Sequence, residues 1–152
     1  MHPYLSTFIA AMTPIGELRL AIPLALAKFD LSVFEAYSIA VIGNLVPVVF
    51  LLLFLEAASL FLIERSRTFE RFFAWLFART RSRVVHKYEA YGYAVLVLFV
   101  AIPLPITGAW TGSAAAYLLG IPFWRALGLI AAGIMISGAV VTLASVGIIS
   151  IF

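Results

Sequence analysis

Glu17 and Arg19 are the two charged residues inside an otherwise apolar stretch from Tyr4 to Ala27. Ionisable groups at membrane depth face a cavity and pair with each other or with a substrate. The Arg19 guanidinium stays protonated and its planar fork matches a phosphate or carboxylate, while Glu17 can take up and release a proton. Together they suit anion binding coupled to protons; a structural ion pair that closes the hairpin tip, or two headgroup-level residues in a loop between short helices, are the alternatives. A second polar group lies at Thr107, Trp110, Thr111 and Ser113, set among Gly108 and Gly112. Freed amides and hydroxyls there can bind an anion, above all if a helix starts at this point and aims its positive end inward. The same hydroxyls can instead satisfy backbone groups orphaned by a break. Asn44 can face the same cavity or join two spans, and Glu56 is a candidate second proton site. His86 reads as a surface residue of a basic stretch. With no cysteine and with histidines only at positions 2 and 86, no metal-ligand spacing exists and no cofactor is expected. No serine–histidine–acid grouping and no phosphate loop appears, so the expectation is a protein without enzymatic activity.

Such residues need elements to hold them, and the composition says where those elements sit. The 152 residues are 64% hydrophobic and 11% charged, against about half and a quarter in a soluble domain. The chain therefore reads as one integral membrane domain over residues 1–152. The N-terminus carries no Lys or Arg ahead of its first apolar stretch, so that stretch is expected to belong to the working protein rather than to a cleaved signal.

Four apolar segments follow one another. The first, Tyr4 to Ala27, is interrupted by Thr13-Pro14-Ile15-Gly16-Glu17-Leu18-Arg19. The second, from about Leu31 to Ile63, holds only Asn44 and Pro47 as disturbances of its central stretch. The third, Tyr93 to Gly120, is broken at Pro103-Leu104-Pro105 and onward to Gly112. The fourth, Ala126 to Phe152, has neither charge nor proline, and its Gly128, Ala132, Gly133, Ser137 and Gly138 permit close approach of another helix. The order broken, whole, connector, broken, whole is a repeat: residues 1–63 and 93–152 on either side of a connector at 64–92.

Prolines remove backbone donors and end helices, so each broken segment splits into halves of about ten residues that cover about 15 Å, half of the hydrocarbon layer. Such halves can enter and leave on one side. The expected fold is all-α: two re-entrant helical hairpins and two long transmembrane helices in an inverted repeat, with an interfacial amphipathic helix between the halves. Four complete crossings are the alternative, but they would place Glu17 and Arg19 inside a simple span at about 2.5–3.5 kcal/mol each.

Residues 64–89 hold Arg65, Arg67, Arg71, Arg79, Arg81, Arg83 and Lys87 against Glu64, Glu70 and Glu89, a local charge of +4 in a chain of +3. The positive-inside rule assigns this connector to the cytoplasm, and two re-entrant segments then put both termini outside, in the inner membrane. Phe69, Phe72, Phe73, Leu76 and Phe77 recur at helical spacing and, with Trp75, predict a helix lying flat at the interface. A nucleic-acid surface has no use for that stripe, so no nucleic-acid partner is expected. Trp124 and Arg125 read as interfacial anchors.

Pro14-Ile15-Gly16-Glu17-Leu18-Arg19 with Ala21-Ile22-Pro23, and Pro103 through Gly112, resemble the small multidrug export protein family over nearly the whole chain. That family in turn looks like a distant relative of the DedA and VTT-domain membrane proteins. The resemblance implies two re-entrant hairpins and a proton-dependent, flippase-like translocation of a lipid carrier such as a polyprenyl phosphate, with Glu17 and Arg19 at the first tip. DedA proteins usually bring an arginine on the second hairpin as well, and residues 93–120 hold none.

The leading expectation is a transporter or lipid-carrier translocase for an anionic or amphipathic substrate, its substrate and ion site formed by Glu17, Arg19, Asn44, Thr107, Trp110 and Thr111. Efflux of hydrophobic cations and a non-transport membrane scaffold are the alternatives. Two spans enclose little polar space, so membrane lipids and at least a second copy of the chain, a homodimer packed partly through the small residues of the fourth segment, are the expected partners.

Overall fold

The computed structural model describes residues 2–84, 89–104 and 107–151, with side chains for all of these except 73, 76, 77, 79–84, 89 and 90. His86 and Lys87 of the connector, and Pro105 and Ile106 of the second break, lie outside the described residues. Every regular element among the described residues is a helix: α1 (Pro3–Met12), α2 (Glu17–Ala27), α3 (Val33–Arg65), α4 (Arg67–Val84), α5 (Glu89–Ala101), α6 (Ala109–Leu118) and α7 (Phe123–Ile151).

The boundaries follow from local chemistry. Pro3 opens α1, where its missing donor costs nothing, and Pro14 makes the preceding Thr13 extended, so the helix stops there. Thr13 Oγ1 then donates to the Ala10 carbonyl at 2.8 Å, satisfying one of the groups freed by the stop. Ser32 starts α3 with a complete capping box, its hydroxyl accepting from the Glu35 amide while the Glu35 carboxylate accepts from the Ser32 amide. The other oxygen of Glu35 accepts from the Tyr4 hydroxyl at 2.7 Å, which ties the start of α1 to the start of α3. At its far end α6 closes in a Schellman turn: Ile121 N–H donates to the Ala116 carbonyl and Gly120 N–H to the Tyr117 carbonyl, with Gly120 at φ 68°.

With 33 and 29 residues, α3 and α7 span about 50 and 44 Å, enough to cross a bilayer at a tilt. The 10–13 residues of α1, α2, α5 and α6 reach only about 15–20 Å each. The long helices leave large apolar side chains outside: Phe34, Phe50, Phe54 and Phe61 on α3 and Leu143 and Ile151 on α7 are each more than half exposed. Soluble monomers rarely expose apolar side chains on this scale, and two helices long and apolar enough to cross a bilayer fit a lipid surrounding.

Inside, α3 contacts α1, α2, α6 and α7, while α5 lies against α7. Leu18, Ile22, Val48, Val100, Ile130 and Ile134 fill the shared core. Small residues set the closest approaches. A Cβ on Gly43 would stand 2.7 Å from the Phe8 carbonyl oxygen, one on Gly133 2.6 Å from Val100, and one on Gly138 2.9 Å from the Tyr37 ring. The glycines expected to meet a second copy are thus partly spent within the chain: Gly133 and Gly138 face α5 and α3, and only Gly128 of that set lies in open space.

Three boundaries differ from the sequence reading. The second segment continues helically to Arg65, because nothing before the extended Ser66 breaks it. The third begins by Glu89 rather than Tyr93. In the first break only residues 13–16 are unwound, and Glu17 and Arg19 already belong to α2. In α4, Phe69, Phe72 and Trp75 are exposed together, with the Phe72 and Trp75 rings 6.4 Å apart, while the side chains of Phe73, Leu76 and Phe77 lie outside the described residues.

Candidate functional site at the meeting of the two helix breaks

The two interruptions meet through side chains at their edges, with Arg19 and Thr107 hydrogen-bonded across 88 positions of chain. Glu17 is the first residue of α2 and adopts φ 46°, a left-handed conformation that non-glycine residues seldom keep without a reason in the surrounding structure. Its side chain is buried, with 7% of its surface exposed. The carboxylate sits at the start of α6, where Oε1 accepts from the Trp110 backbone N–H at 3.4 Å. The first amides of a helix have no partner within it and carry partial positive charge, so Glu17 supplies the anion that α6 lacks. Gly108, the residue before α6, makes this possible. A Cβ there would run into the carboxyl group, 2.7 Å from its Cδ, and the φ of 157° is itself one that glycine favours.

Arg19 lies two residues further on and reaches the same break from its other side. Its guanidinium donates to the Thr107 carbonyl. Trp110 completes the clasp by donating its indole N–H to the Met12 carbonyl at 3.3 Å, so the second break satisfies the end of α1 while the first satisfies the start of α6. Pro23, one turn beyond Arg19, withholds the amide that the Arg19 carbonyl would accept from in a regular helix.

The structure thus brings Glu17, Arg19, Thr107 and Trp110 together, though the convergence of Glu17 and Arg19 comes from the first turn of a helix rather than from an unwound tip. The threonine hydroxyls serve the backbone: Thr107 Oγ1 donates to the Ile102 carbonyl at 2.6 Å and accepts from the Leu104 amide at 3.2 Å, and Thr111 Oγ1 turns back to the Gly108 carbonyl. What Thr107 offers Arg19 is its main-chain oxygen. Asn44 is buried at 1% exposure, and its Oδ1 has no partner among the described residues. By helical spacing it shares the face of α3 that carries Tyr37 and Val41, which pack on Gly138 of α7. Glu56 is exposed and lies elsewhere, in a cavity bounded by α3 and the α6–α7 corner. Trp124 is exposed, and Arg125 donates to the Tyr93 hydroxyl at 3.4 Å. No cluster of three His, Asp or Glu that could hold a metal ion occurs among the described residues.

The sequence reading missed Gly108 as the partner of Glu17. Its signal, a glycine immediately before a helical stretch that follows two prolines, was present, but nothing in one sequence says what fills the space a side chain would have taken.

Fold and site together define an all-helical membrane protein in which two interrupted apolar segments interlock through a buried acid and an arginine. Residues 17–140 match the profile of the family described as "Putative small multi-drug export protein", and the chain belongs to that family. The match starts at Glu17 and takes in both halves of the clasp. No curated protein and no solved structure gives a match.

Proposed function

We propose that the protein is a transporter that translocates an anionic amphipathic molecule, of the lipid-carrier phosphate class, with Glu17 carrying the coupled proton and no chemical conversion of the substrate. The observation that carries this reading is the Glu17 carboxylate seated on the N-terminal amides of α6 with Arg19 alongside. That seat fits an anion, and in the present state the protein's own carboxylate fills it. Protonation of Glu17 removes the charge that holds it there. The amides of α6 and the Arg19 fork are then available to a phosphate, so anion binding is linked to proton uptake.

In this reading α1–α2 and α5–α6 are re-entrant hairpins, and α3 and α7 are the crossings of an inverted repeat. The basic α4 lies on the cytoplasmic face of the inner membrane and both termini lie outside. A second copy completes the enclosure of the site. Because Gly133 and Gly138 are used within the chain, the second copy meets lipid-facing surface around Gly128 and Gly147, where nothing lies within 4 Å of an added Cβ. The resemblance of the two proline-containing motifs to DedA proteins, suggested by the sequence alone, motivates the lipid-carrier substrate, and the export family supports outward movement of a small molecule.

The test is flipping of a fluorescent short-chain isoprenyl phosphate in proteoliposomes, read by quenching of the outer leaflet at several pH values. The wild-type protein accelerates flipping more as the pH falls. Glu17→Gln, which mimics the protonated acid, flips at a rate independent of pH, and Arg19→Lys weakens apparent affinity about tenfold because an ammonium cannot make the two-point contact. A phosphate probe that both variants handle like the wild type overturns the reading, as does a wild-type protein that moves only a hydrophobic cation.

A further inference from the structure

Away from the clasp, a cavity among the described residues combines a charge with apolar walls. It has a volume of about 340 Å³, is open on one side, and is lined by Leu52 and Glu56 of α3, Tyr117 of α6, the turn residues Gly120 and Pro122, and Phe123 of α7. The Schellman turn at Gly120 forms its rim, since the left-handed glycine lets the chain reverse there without a side chain in the opening. Glu56 sits nine residues before the end of α3, and Trp124 and Arg125 follow directly after Phe123, so the mouth lies near the boundary between hydrocarbon and water. Among the described residues Glu56 has no ion-pair partner, and its side chain makes no hydrogen bond.

From this cavity we infer a second ligand site, separate from the clasp, for an organic ammonium that carries an apolar body. The Glu56 carboxylate supplies the countercharge, and Phe123 and Tyr117 supply ring faces, which attract a desolvated cation more than a neutral group of the same shape. Leu52, Ile121 and Pro122 take the apolar body. A volume of this order holds one small amphiphile and no more. An inorganic cation gains nothing from the walls, and an anion meets an acid. The same chemistry comes from two sources: a free amphipathic cation, and the ammonium headgroup of a membrane lipid.

The experiment is equilibrium dialysis of radiolabelled tetraphenylphosphonium, a permanent cation with an apolar body, against the full chain in phosphatidylglycerol nanodiscs. Glu56→Gln is expected to lower affinity at least tenfold and Glu56→Asp by less, while Glu17→Gln leaves it unchanged. Glu56 is exposed, so its variants fold, which thermal unfolding by tryptophan fluorescence verifies. Nanodiscs that also contain phosphatidylethanolamine identify the source: weakened probe binding in wild type but not in Glu56→Gln shows that a lipid headgroup occupies the site, and unchanged binding shows a free cation. Binding that Glu56→Gln leaves intact overturns the inference, and so does binding that Glu17→Gln abolishes, because the cation would then be using the clasp. Failure here leaves the anion reading standing, since that rests on Glu17 and a phosphate probe.

Discussion

The Glu17 carboxylate occupies the space that a side chain at position 108 would need, so the acid of the first helix break and the glycine of the second are complementary parts of one contact. This relationship yields the sharpest prediction. Gly108→Ala meets both an unfavourable φ and a collision, and is expected to cost about 1–3 kcal/mol or more of stability, read as a lowered unfolding temperature in detergent. Shortening the acid in the double variant Glu17→Ala/Gly108→Ala removes the collision and leaves the backbone strain. The double variant is therefore less destabilised than the sum of the two single ones. Strict additivity would show that the two residues do not share the contact.

Thr107 gives a way to separate structure from binding. Its hydroxyl bridges the Ile102 carbonyl and the Leu104 amide, whereas Arg19 takes only the main-chain oxygen. Thr107→Val is expected to destabilise by about 1–3 kcal/mol through these unsatisfied groups while leaving the affinity for a phosphate probe within about twofold. A large loss of affinity with unchanged stability would assign the hydroxyl to the substrate.

The indole of Trp110 can be tested in the same way. Trp110→Phe keeps an aromatic ring but deletes the donor to the Met12 carbonyl, at an expected cost of about 1 kcal/mol measured by thermal unfolding. Protection of the α1 backbone against hydrogen exchange should fall with it, because the end of α1 loses its partner.

The glycines of α7 divide by environment. Gly133→Leu drives a side chain into Val100 and should unfold the seam between α5 and α7, whereas Gly128→Leu meets nothing within 4 Å and should fold normally. If a second copy packs over Gly128, that variant changes the oligomeric mass in nanodiscs without changing the unfolding of the monomer. A dimer indifferent to both Gly128→Leu and Gly147→Leu packs elsewhere.

Ser32→Ala removes the hydroxyl half of the capping box at the start of α3, with an expected loss of about 0.5–2 kcal/mol in thermal unfolding. Tyr4→Phe should leave the cap intact and release α1 from Glu35, seen as faster hydrogen exchange at the start of α1 only.

Much of this protein is set by short-range chemistry, and for that reason it can be read from one sequence. Runs of apolar residues longer than a bilayer is thick, prolines inside two of them, and a basic stretch between the halves decide the medium, the two long helices and the four short ones, because helix length and proline stereochemistry depend on neighbours a few positions away. Glu17 and Arg19 stood out for the same reason: a charge in an apolar run is costly wherever the run ends up. The Ser32–Glu35 cap is equally local, though the sequence reading did not single it out.

What only the tertiary structure decided is which residues, distant along the chain, meet one another. No local rule says that the anion for the α6 N-terminus comes from Glu17, that the threonine hydroxyls turn to their own backbone, or that Gly133 and Gly138 of α7 are consumed inside the chain while Gly128 and Gly147 stay open. Each depends on how helices approach one another. That approach is fixed by the simultaneous packing of many side chains, whose positions a linear pattern does not contain.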